Sequence, residues 1–249
     1  MQPEFPEIVA HRGASADRAE HTIGAYRLAV EQGADALECD VRLTRDGTLV
    51  CVHDRTVDRT SNGRGPVSTA TAAHLSTLDF GSWHPGSAAG PAEERGLLTL
   101  TALLELVAES GVRLFVETKH PVRGGGKVES AVVAELARFG DAAVTVMSFS
   151  ATAVRRVRAL APEVPTVLLL SRLGTDRHDG SLPGYADITG PGVHLLRDDP
   201  GYVARARERG HDTYCWTVDD PADIRLCRDL GVRYVATNRP AATRAVLGS

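Results

Sequence analysis

The amino-acid sequence predicts an α/β fold in which strand–helix units repeat and close into a (β/α)8 barrel. Short apolar runs alternate with longer amphipathic patterns along nearly the whole chain, as expected for repeated βα units and a mainly parallel sheet. About eight such units share the 249 residues, a length at which this kind of barrel closes. The rival architecture is a doubly wound open sheet, but its G-x-G-x-x-G fingerprint is missing after the first strand, where the chain reads His-Arg-Gly-Ala-Ser-Ala.

The first units are defined by helix ends and turns. A strand at residues 7–10 precedes a helix at 22–32, which ends at a glycine because glycine is common directly after a helix. A second strand at 36–43 meets an Asp-Gly turn, and residues 49–52 return as the second arm of a hairpin.

Residues 55–97 break this alternation. They are rich in Gly, Ser, Thr, Pro and Ala and contain few apolar clusters, which suits an excursion above a barrel better than another βα unit. We interpret them as a small inserted loop region within one barrel domain that spans residues 1–249.

The alternation resumes after the insertion and continues to the end of the chain. The apolar runs that complete the strand count are residues 112–118, 143–147, 164–170, 193–196, 212–216 and 232–236. The predicted helices are residues 101–109, 127–138, 152–160, 201–209, 222–230 and 241–247.

The composition excludes several functional classes. With a net charge of −4, the molecule has no basic field that would attract nucleic acid or an anionic membrane. No apolar run approaches the roughly 20 residues of a membrane-spanning helix, and the first residues lack the pattern of a secretory signal. We therefore expect a cytoplasmic protein without stable membrane association. Its four cysteines form no C-x-x-C pair and are expected to be reduced and buried.

Alternation along the second strand places two carboxylates on one face. In the run Leu-Glu-Cys-Asp-Val-Arg-Leu, the polar residues Glu38, Asp40 and Arg42 take alternate positions, opposite to the apolar ones. The two carboxylates then lie roughly 6.6 Å apart, at about 3.3 Å per residue. Their charges repel by about 2 to 3 kcal/mol at an effective dielectric constant near 20, so a compensating charge is expected.

A divalent cation is one source of that charge. Glu117 lies near the end of a later strand and would complete a set of three carboxylates of the kind that Mg²⁺ or Ca²⁺ prefers. The alternatives are a solvated strand face or an ion pair between Glu38 and Arg42, because the exposed side of an antiparallel sheet shows the same alternation.

Two histidines and two cations fall at the same predicted rim. Functional residues of a parallel barrel collect at the carboxyl ends of its strands, and His11 and His53 directly follow predicted strands. Either imidazole can exchange a proton near neutral pH, while Arg12 and Lys119 offer donors suited to phosphate oxygens. Singly, each is as easily an ordinary strand-end or surface residue; together with the acids they indicate an active site. Trp216 is either a core side chain or the wall of a substrate pocket.

A set of motifs also occurs in a fixed order along nearly the whole chain. They begin at Ile8 (Ile-Val-Ala-His-Arg-Gly), Glu20 (Glu-His-Thr), Glu38 (Glu-Cys-Asp-Val-Arg-Leu-Thr-Arg-Asp-Gly), His53 (His-Asp), Arg59 (Arg-Thr-Ser-Asn-Gly), Glu117 (Glu-Thr-Lys), Ser148 (Ser-Phe) and Trp216 (Trp-Thr-Val). The ordered set resembles the glycerophosphodiester phosphodiesterase family and is specific, although no single triplet is.

The resemblance implies a (β/α)8 TIM barrel with a small insertion after the second strand, and one divalent cation, Mg²⁺ or Ca²⁺. The implied roles are metal ligation for Glu38, Asp40 and Glu117, acid/base catalysis for His11 and His53, phosphate binding for Arg12 and Lys119, and a place in the substrate site for Trp216 and Glu20.

The chain departs from the family at two motifs. The family's Pro-Glu-Asn-Thr motif reads Ala-Glu-His-Thr here, with His21 in the place of the asparagine. The family's Thr-Asp-x-Pro motif reads Thr-Asn-Arg-Pro, with Asn238 in the place of the aspartate. We expect the second substitution to affect barrel closure more than chemistry.

These observations lead to a functional hypothesis: metal-dependent hydrolysis of a small glycerophosphodiester to glycerol 3-phosphate and an alcohol, with two histidines as acid and base. One alternative is a lysophospholipase D-type activity, for which Trp83 and the insertion would have to supply an apolar channel. The other is a barrel that binds phosphodiesters without cleaving them, because a fold does not guarantee an activity.

Overall fold

The strands of the computed structural model confirm the predicted barrel. The model describes residues 5–88, 90–120, 125–140, 143–174 and 177–248. The strands are β1 (Glu7–His11), β2 (Ala36–Leu43), β3 (Leu49–Cys51), β4 (Arg113–Thr118), β5 (Val144–Ser148), β6 (Thr166–Leu170), β7 (Ile188–Pro191), β8 (Asp212–Cys215) and β9 (Tyr234–Thr237). All except β3 are parallel, and the barrel closes because β1 pairs with both β2 and β9. The short β3 pairs with β2 in the antiparallel sense, as predicted for the hairpin.

The helices surround this barrel. They are α1 (Ile23–Glu31), α2 (Ala72–Leu75), α3 (Pro85–Ala88), α4 (Leu100–Ser110), α5 (Lys127–Phe139), α6 (Ala151–Leu160), α7 (Val193–Asp198), α8 (Tyr202–Glu208), α9 (Pro221–Leu230) and α10 (Pro240–Leu247). Several begin at polar caps: the Thr22, Thr99 and Ser150 side chains accept hydrogen bonds from backbone N–H groups of α1, α4 and α6. These caps fix where each helix starts relative to the strand before it.

The two faces of β2 are divided as the alternation predicts. Its apolar residues Leu37, Cys39 and Val41 belong to the core cluster between the strands and the surrounding helices. Glu38 and Asp40 take the alternate positions and are fully buried. The sequence of this strand therefore places both carboxylates on the barrel-facing side.

Aromatic rings fill the barrel below these carboxylates. The Phe115 ring on β4 lies 5.0 Å from the ring of Tyr214 and 5.1 Å from that of Tyr234, centroid to centroid. Glu117 stands two residues after Phe115 on β4, so it shares a strand face with that ring. The packed layer leaves the acidic side chains at the carboxyl-end rim of the barrel.

One strand prediction was wrong. The apolar run 193–196 is not a strand but the buried face of α7, and β7 lies immediately before it. Short apolar runs do not distinguish strand from helix, and β7 itself contains Gly190. A Cβ on Gly190 would lie 2.7 Å from Leu169 Cδ2, so glycine is what lets this strand fit against β6.

The segment between β3 and α4 contains α2, α3 and two short 3₁₀ turns. Its apolar residues form a small cluster with the end of the hairpin, in which Val57, Val67, Leu75 and Phe80 are buried. The segment is therefore packed onto the barrel rather than extended from it.

The four cysteines are buried and carry free thiols, as predicted. Within the described residues, no helix combines the length and the apolar character needed to cross a membrane.

Gly13 provides a test of the loop that follows β1. It has φ +83°, and a Cβ there would lie 2.7 Å from the carbonyl carbon of Ala25. Gly47 has φ +86°, and no atom of the described residues lies within 4 Å of its Cβ position. Gly47→Ala is expected to lower the free energy of unfolding by about 1 to 2 kcal/mol, the cost of a left-handed residue with a side chain. Gly13→Ala should cost about 1 to 3 kcal/mol more because it also creates an overlap. Urea unfolding measures both, and equal losses would contradict this account.

Candidate active site

Three carboxylates converge at the rim of the barrel. Asp40 on β2 is the register partner of Glu117 on β4, and Glu38 lies two residues before Asp40. All three are buried, and one oxygen atom from each lies within 4.8 Å of the others. The parallel register thus creates the acidic cluster that the sequence predicts.

Two cationic side chains partly neutralise this cluster. Arg12 Nε lies 2.9 Å from Asp40 Oδ2. Lys119 Nζ lies 2.9 Å from Asp40 Oδ1 and 2.8 Å from Glu117 Oε1, so it bridges two of the acids. Glu38 Oε2 accepts a hydrogen bond of 3.0 Å from the Arg12 backbone N–H, whereas Glu38 Oε1 is buried and has no hydrogen-bond partner among the described residues.

The carboxyl groups respond differently to this environment. Burial, followed by the charge of Asp40, raises the pKa of Glu38 well above its ordinary value. The same two causes raise the pKa of Glu117 to about 8. Burial would also raise the pKa of Asp40, but the His21 hydrogen bond and the charges of Lys119 and Arg12 hold it well below its ordinary value. The available cations therefore stabilise one of the three carboxylates as an anion, and negative charge at the other two remains undercompensated.

The cluster fits a hard divalent cation. Its donors are carboxylate oxygens, the type that Mg²⁺ and Ca²⁺ prefer. Among the described residues, Glu38 Oε1 has no hydrogen-bond partner, and the pKa values of Glu38 and Glu117 are raised. Both observations indicate that an additional positive charge would stabilise the ionised carboxylates. Arg42, the alternative partner of Glu38, instead donates from Nε and Nη2 to the backbone oxygen of His53, at 3.0 and 2.7 Å.

His11 is held against the cluster by an amide. Its Nε2 lies 4.0 Å from Glu38 Oε2, and its Nδ1 lies 2.8 Å from Asn238 Oδ1. Asn238 donates from its backbone N–H and from Nδ2 to Asp219, at 2.7 and 2.5 Å. Because a carboxylate only accepts, the amide oxygen must face His11, and His11 Nδ1 carries the proton. Burial and the neighbouring Arg12 charge lower the pKa of His11 to about 4.

His53 is held by a carboxylate. Its Nδ1 lies 2.7 Å from Asp54 Oδ1, so the ring presents Nε2 for proton exchange. Burial lowers the pKa of His53, although the charge of Asp40 opposes this shift.

The remaining predicted residues also lie at this rim. Glu20 accepts from Arg12 Nη1 at 3.0 Å, so it contacts the cluster through Arg12. Trp216 directly follows β8 and is partly buried, with its Nε1–H donating to the Gly190 oxygen at 2.7 Å. The Trp216 ring lies edge-on to that of Phe149, with centroids 5.1 Å apart, and Phe149 is exposed. Trp216 also packs against the buried cluster inside the barrel, so the aromatic pair extends from this cluster to the exposed rim.

The family model of the glycerophosphoryl diester phosphodiesterase family matches residues 11–242 of this chain. The chain belongs to this family. It is 48% identical over 263 residues to a probable glycerophosphodiester phosphodiesterase 1 of Mycobacterium tuberculosis, a match that covers 97% of this chain and 92% of the relative. It is 33% identical over 254 residues to a Bacillus subtilis glycerophosphodiester phosphodiesterase, a match that covers 96% of this chain and 86% of the relative. The family predicted from the motifs, whose members are phosphoric diester hydrolases, is confirmed.

Solved structures show the same fold. A phosphodiesterase from Oleispira antarctica, in complex with the product sn-glycerol-3-phosphate, matches with a TM-score of 0.88 and 25% identity, over 98% of each chain. A glycerophosphodiester phosphodiesterase from Agrobacterium tumefaciens matches with a TM-score of 0.79 and 30% identity, over 97% of this chain and 100% of the other.

The first departure from the family motif places an imidazole among the acids. His21 Nε2 lies 2.9 Å from Asp40 Oδ2, and His21 Nδ1 lies 2.9 Å from the hydroxyl of Tyr26. The Tyr26 hydroxyl donates to the backbone oxygen of Glu38 at 2.9 Å. Both His21 and Arg12 have positive φ values, 59° and 61°, a strain that is common at functional sites. The altered motif was visible in the sequence, but this contact was not.

The second departure requires a correction. Asn238 was expected to affect barrel closure more than chemistry. In the structure its amide oxygen contacts His11 directly, because the end of β9 lies beside the end of β1 in the closed barrel. The substitution therefore lies in the candidate site of this family member.

The raised carboxyl pKa values predict that metal binding releases protons. A divalent cation requires ionised carboxylates, so its affinity should increase with pH until the pKa of Glu117, about 8, has been passed. Calorimetric titration of Mn²⁺ at pH 6.5, in buffers of different ionisation enthalpy, should detect this proton release. Glu117→Gln should bind more weakly and release fewer protons, whereas Glu105→Gln, at an exposed position of α4, should match the wild type. Binding without proton release would contradict the expectation.

Proposed function

We propose that this protein is a metal-dependent phosphodiesterase that hydrolyses a glycerophosphodiester to glycerol 3-phosphate and an alcohol. The observation that carries the proposal is the buried cluster of Glu38, Asp40 and Glu117, with the His11 imidazole at its edge. The sn-glycerol-3-phosphate bound by the Oleispira antarctica relative supports this substrate class.

The proposed phosphate contacts are Arg12 and Lys119. Both are held at the cluster by ion pairs with Asp40, so their charges are already in place before the substrate binds. Cations held beside the site stabilise the negative charge on the phosphoryl oxygens. Glu20 contributes through Arg12, which it orients by a hydrogen bond.

The metal ligands in this proposal are Glu38, Asp40 and Glu117, and the ion is Mg²⁺ or Ca²⁺. When bound, such an ion acts as a Lewis acid on phosphoryl oxygens and orients the diester. The undercompensated negative charge of Glu38 and Glu117 favours this function over a purely structural ion-pair network.

His11 and His53 form the proposed acid/base pair. One removes a proton from the attacking oxygen, and the other gives a proton to the departing alkoxide. Asn238 and Asp54 engage the two Nδ1 atoms, so proton exchange is confined to Nε2 on each ring. Hydrogen bonds therefore set the tautomer of both catalytic groups.

Trp216 and Phe149 form the proposed wall beside the glycerol or leaving group. Their edge-to-face contact gives a rigid apolar surface at the rim. A cytoplasmic location, the absence of stable membrane association and the single-domain organisation stay predictions from the sequence.

Two variants test the proposal, one that should lose metal binding and one that should lose only proton transfer. Loss of a residue that only orients a metal ligand costs roughly 10 to 100-fold. Glu38→Gln removes a proposed ligand itself, so it should reduce turnover by more than roughly 100-fold and should also weaken Mn²⁺ binding. His53→Ala should reduce turnover by about 10² to 10⁴-fold while Mn²⁺ still binds. Release of glycerol 3-phosphate from glycerophosphocholine is the assay.

Three outcomes would contradict the proposal. Unchanged turnover and metal affinity in Glu38→Gln would remove the metal site. Preferential cleavage of lysophosphatidylcholine, assayed in parallel, would favour a lysophospholipase D. Tight metal-dependent binding of glycerophosphocholine without turnover would favour a binding protein.

A further inference from the structure

Arg59 joins two carboxylates at the candidate site, one from the loop after β1 and one from the segment after β3. It belongs to the segment after β3, and its Nε lies 2.7 Å from Asp54 Oδ2. Its Nη1 and Nη2 donate to the two oxygens of Glu20, each at 2.8 Å. Three donors of one planar guanidinium are therefore committed to two acids in a fixed geometry.

Each of these acids holds a group that the proposed reaction needs. Asp54 accepts from Nδ1 of His53 at 2.7 Å, and Glu20 accepts from Nη1 of Arg12 at 3.0 Å. Arg59 is thus the central member of an unbroken chain of contacts from an acid/base imidazole to a phosphate-binding guanidinium.

We propose that Arg59 is a positioning residue that fixes His53 and Arg12 relative to each other by holding Asp54 and Glu20. The inference rests on the hydrolysis proposed above. Arg59 itself touches neither the metal ligands nor, in this proposal, the substrate.

The alternative is an ordinary surface ion pair. The Arg59 side chain is 44% exposed, and exposed ion pairs contribute only about 0 to 1 kcal/mol to stability. Glu20, however, is mostly buried, with 12% of its side chain exposed, and both of its oxygens are occupied by Arg59. Without Arg59, Arg12 and His53 still give each acid a possible partner, so little folding stability is lost, but no side chain fixes Glu20 and Asp54 relative to each other. The contribution of Arg59 is therefore to geometry at the site rather than to folding.

The two interpretations predict opposite changes in the pKa of His53 when Arg59 is removed. Charged groups surround this imidazole: Asp54, Asp40, Arg12 and Lys119, with Arg42 bonded to its backbone oxygen. If the geometry stays the same, removing the positive charge of Arg59 must raise the pKa of His53. If Arg59 holds Asp54 in place, its removal also costs His53 the carboxylate that stabilises the imidazolium, and the pKa falls.

The experiment compares Arg59→Gln, Arg59→Lys and Arg138→Gln in the full chain. Arg138 pairs with Glu135 on the exposed face of α5, so it controls for the loss of one arginine charge. The His53 pKa is measured by NMR in metal-free protein, with His53→Gln to assign the resonance. Steady-state kinetics on glycerophosphocholine are measured with metal present.

Arg59→Gln should lower the pKa of His53 and reduce kcat/KM by about 10 to 100-fold, as loss of an outer-shell partner does. KM should rise because Arg12 is displaced, and kcat should fall because His53 is misaligned. Arg59→Lys keeps the positive charge but lacks the planar guanidinium that donates to both acids. Its kcat/KM should therefore fall at least several-fold. Arg138→Gln should match the wild type in both measurements.

Two results would overturn the proposal: a raised His53 pKa with unchanged kcat in Arg59→Gln, or full activity in Arg59→Lys. The lysine variant covers the case in which Arg59→Gln does not fold. A wild-type protein that fails to cleave glycerophosphocholine would instead reject the proposed function. The NMR titration would still decide whether Arg59 positions Asp54 against His53.

Discussion

The site depends on the compensation of negative charge at one rim of the barrel. Parallel pairing of β2 with β4 forces Asp40 beside Glu117, and strand alternation adds Glu38 on the same face. Arg12, Lys119 and His21 all contact Asp40, and their combined effect keeps it ionised. The negative charges of Glu38 and Glu117 are less well compensated. Burial and the charge of Asp40 therefore raise the pKa of both carboxyl groups. Within the part of the chain that the structure describes, the side chains at this rim therefore leave Glu38 and Glu117 with less compensating positive charge than Asp40 has.

Around this cluster, a second layer of hydrogen bonds sets the state of each chemical group. Asn238 fixes the tautomer of His11, and Asp54 fixes that of His53. The two histidines differ in this respect, because one faces a neutral amide and the other a carboxylate. The segment after β3 takes part through Arg59, which connects Asp54 to Glu20. The insertion is therefore structurally continuous with the rim.

Local rules were sufficient to predict the acidic cluster from sequence. Alternation assigned Glu38 and Asp40 to one face, and the strand-end position of Glu117 assigned it to the same rim. The same rules failed for β7, where apolarity did not distinguish a strand from the adjacent helix. The contact between His11 and Asn238 joins residues 227 positions apart, and that of His21 with Asp40 depends on a left-handed backbone conformation. Both contacts depend on the three-dimensional fold, and neither leaves a periodic signal in the sequence.

The most direct test of the account is the position of a bound cation. Crystals grown with Mn²⁺ and measured at its absorption edge should show an anomalous peak bounded by Glu38, Asp40 and Glu117, with Lys119 Nζ displaced from its bridge between Asp40 and Glu117. An absence of density there at saturating Mn²⁺, with the Lys119 bridge intact, would show that the chain's own cations complete the cluster. That result would contradict the central claim.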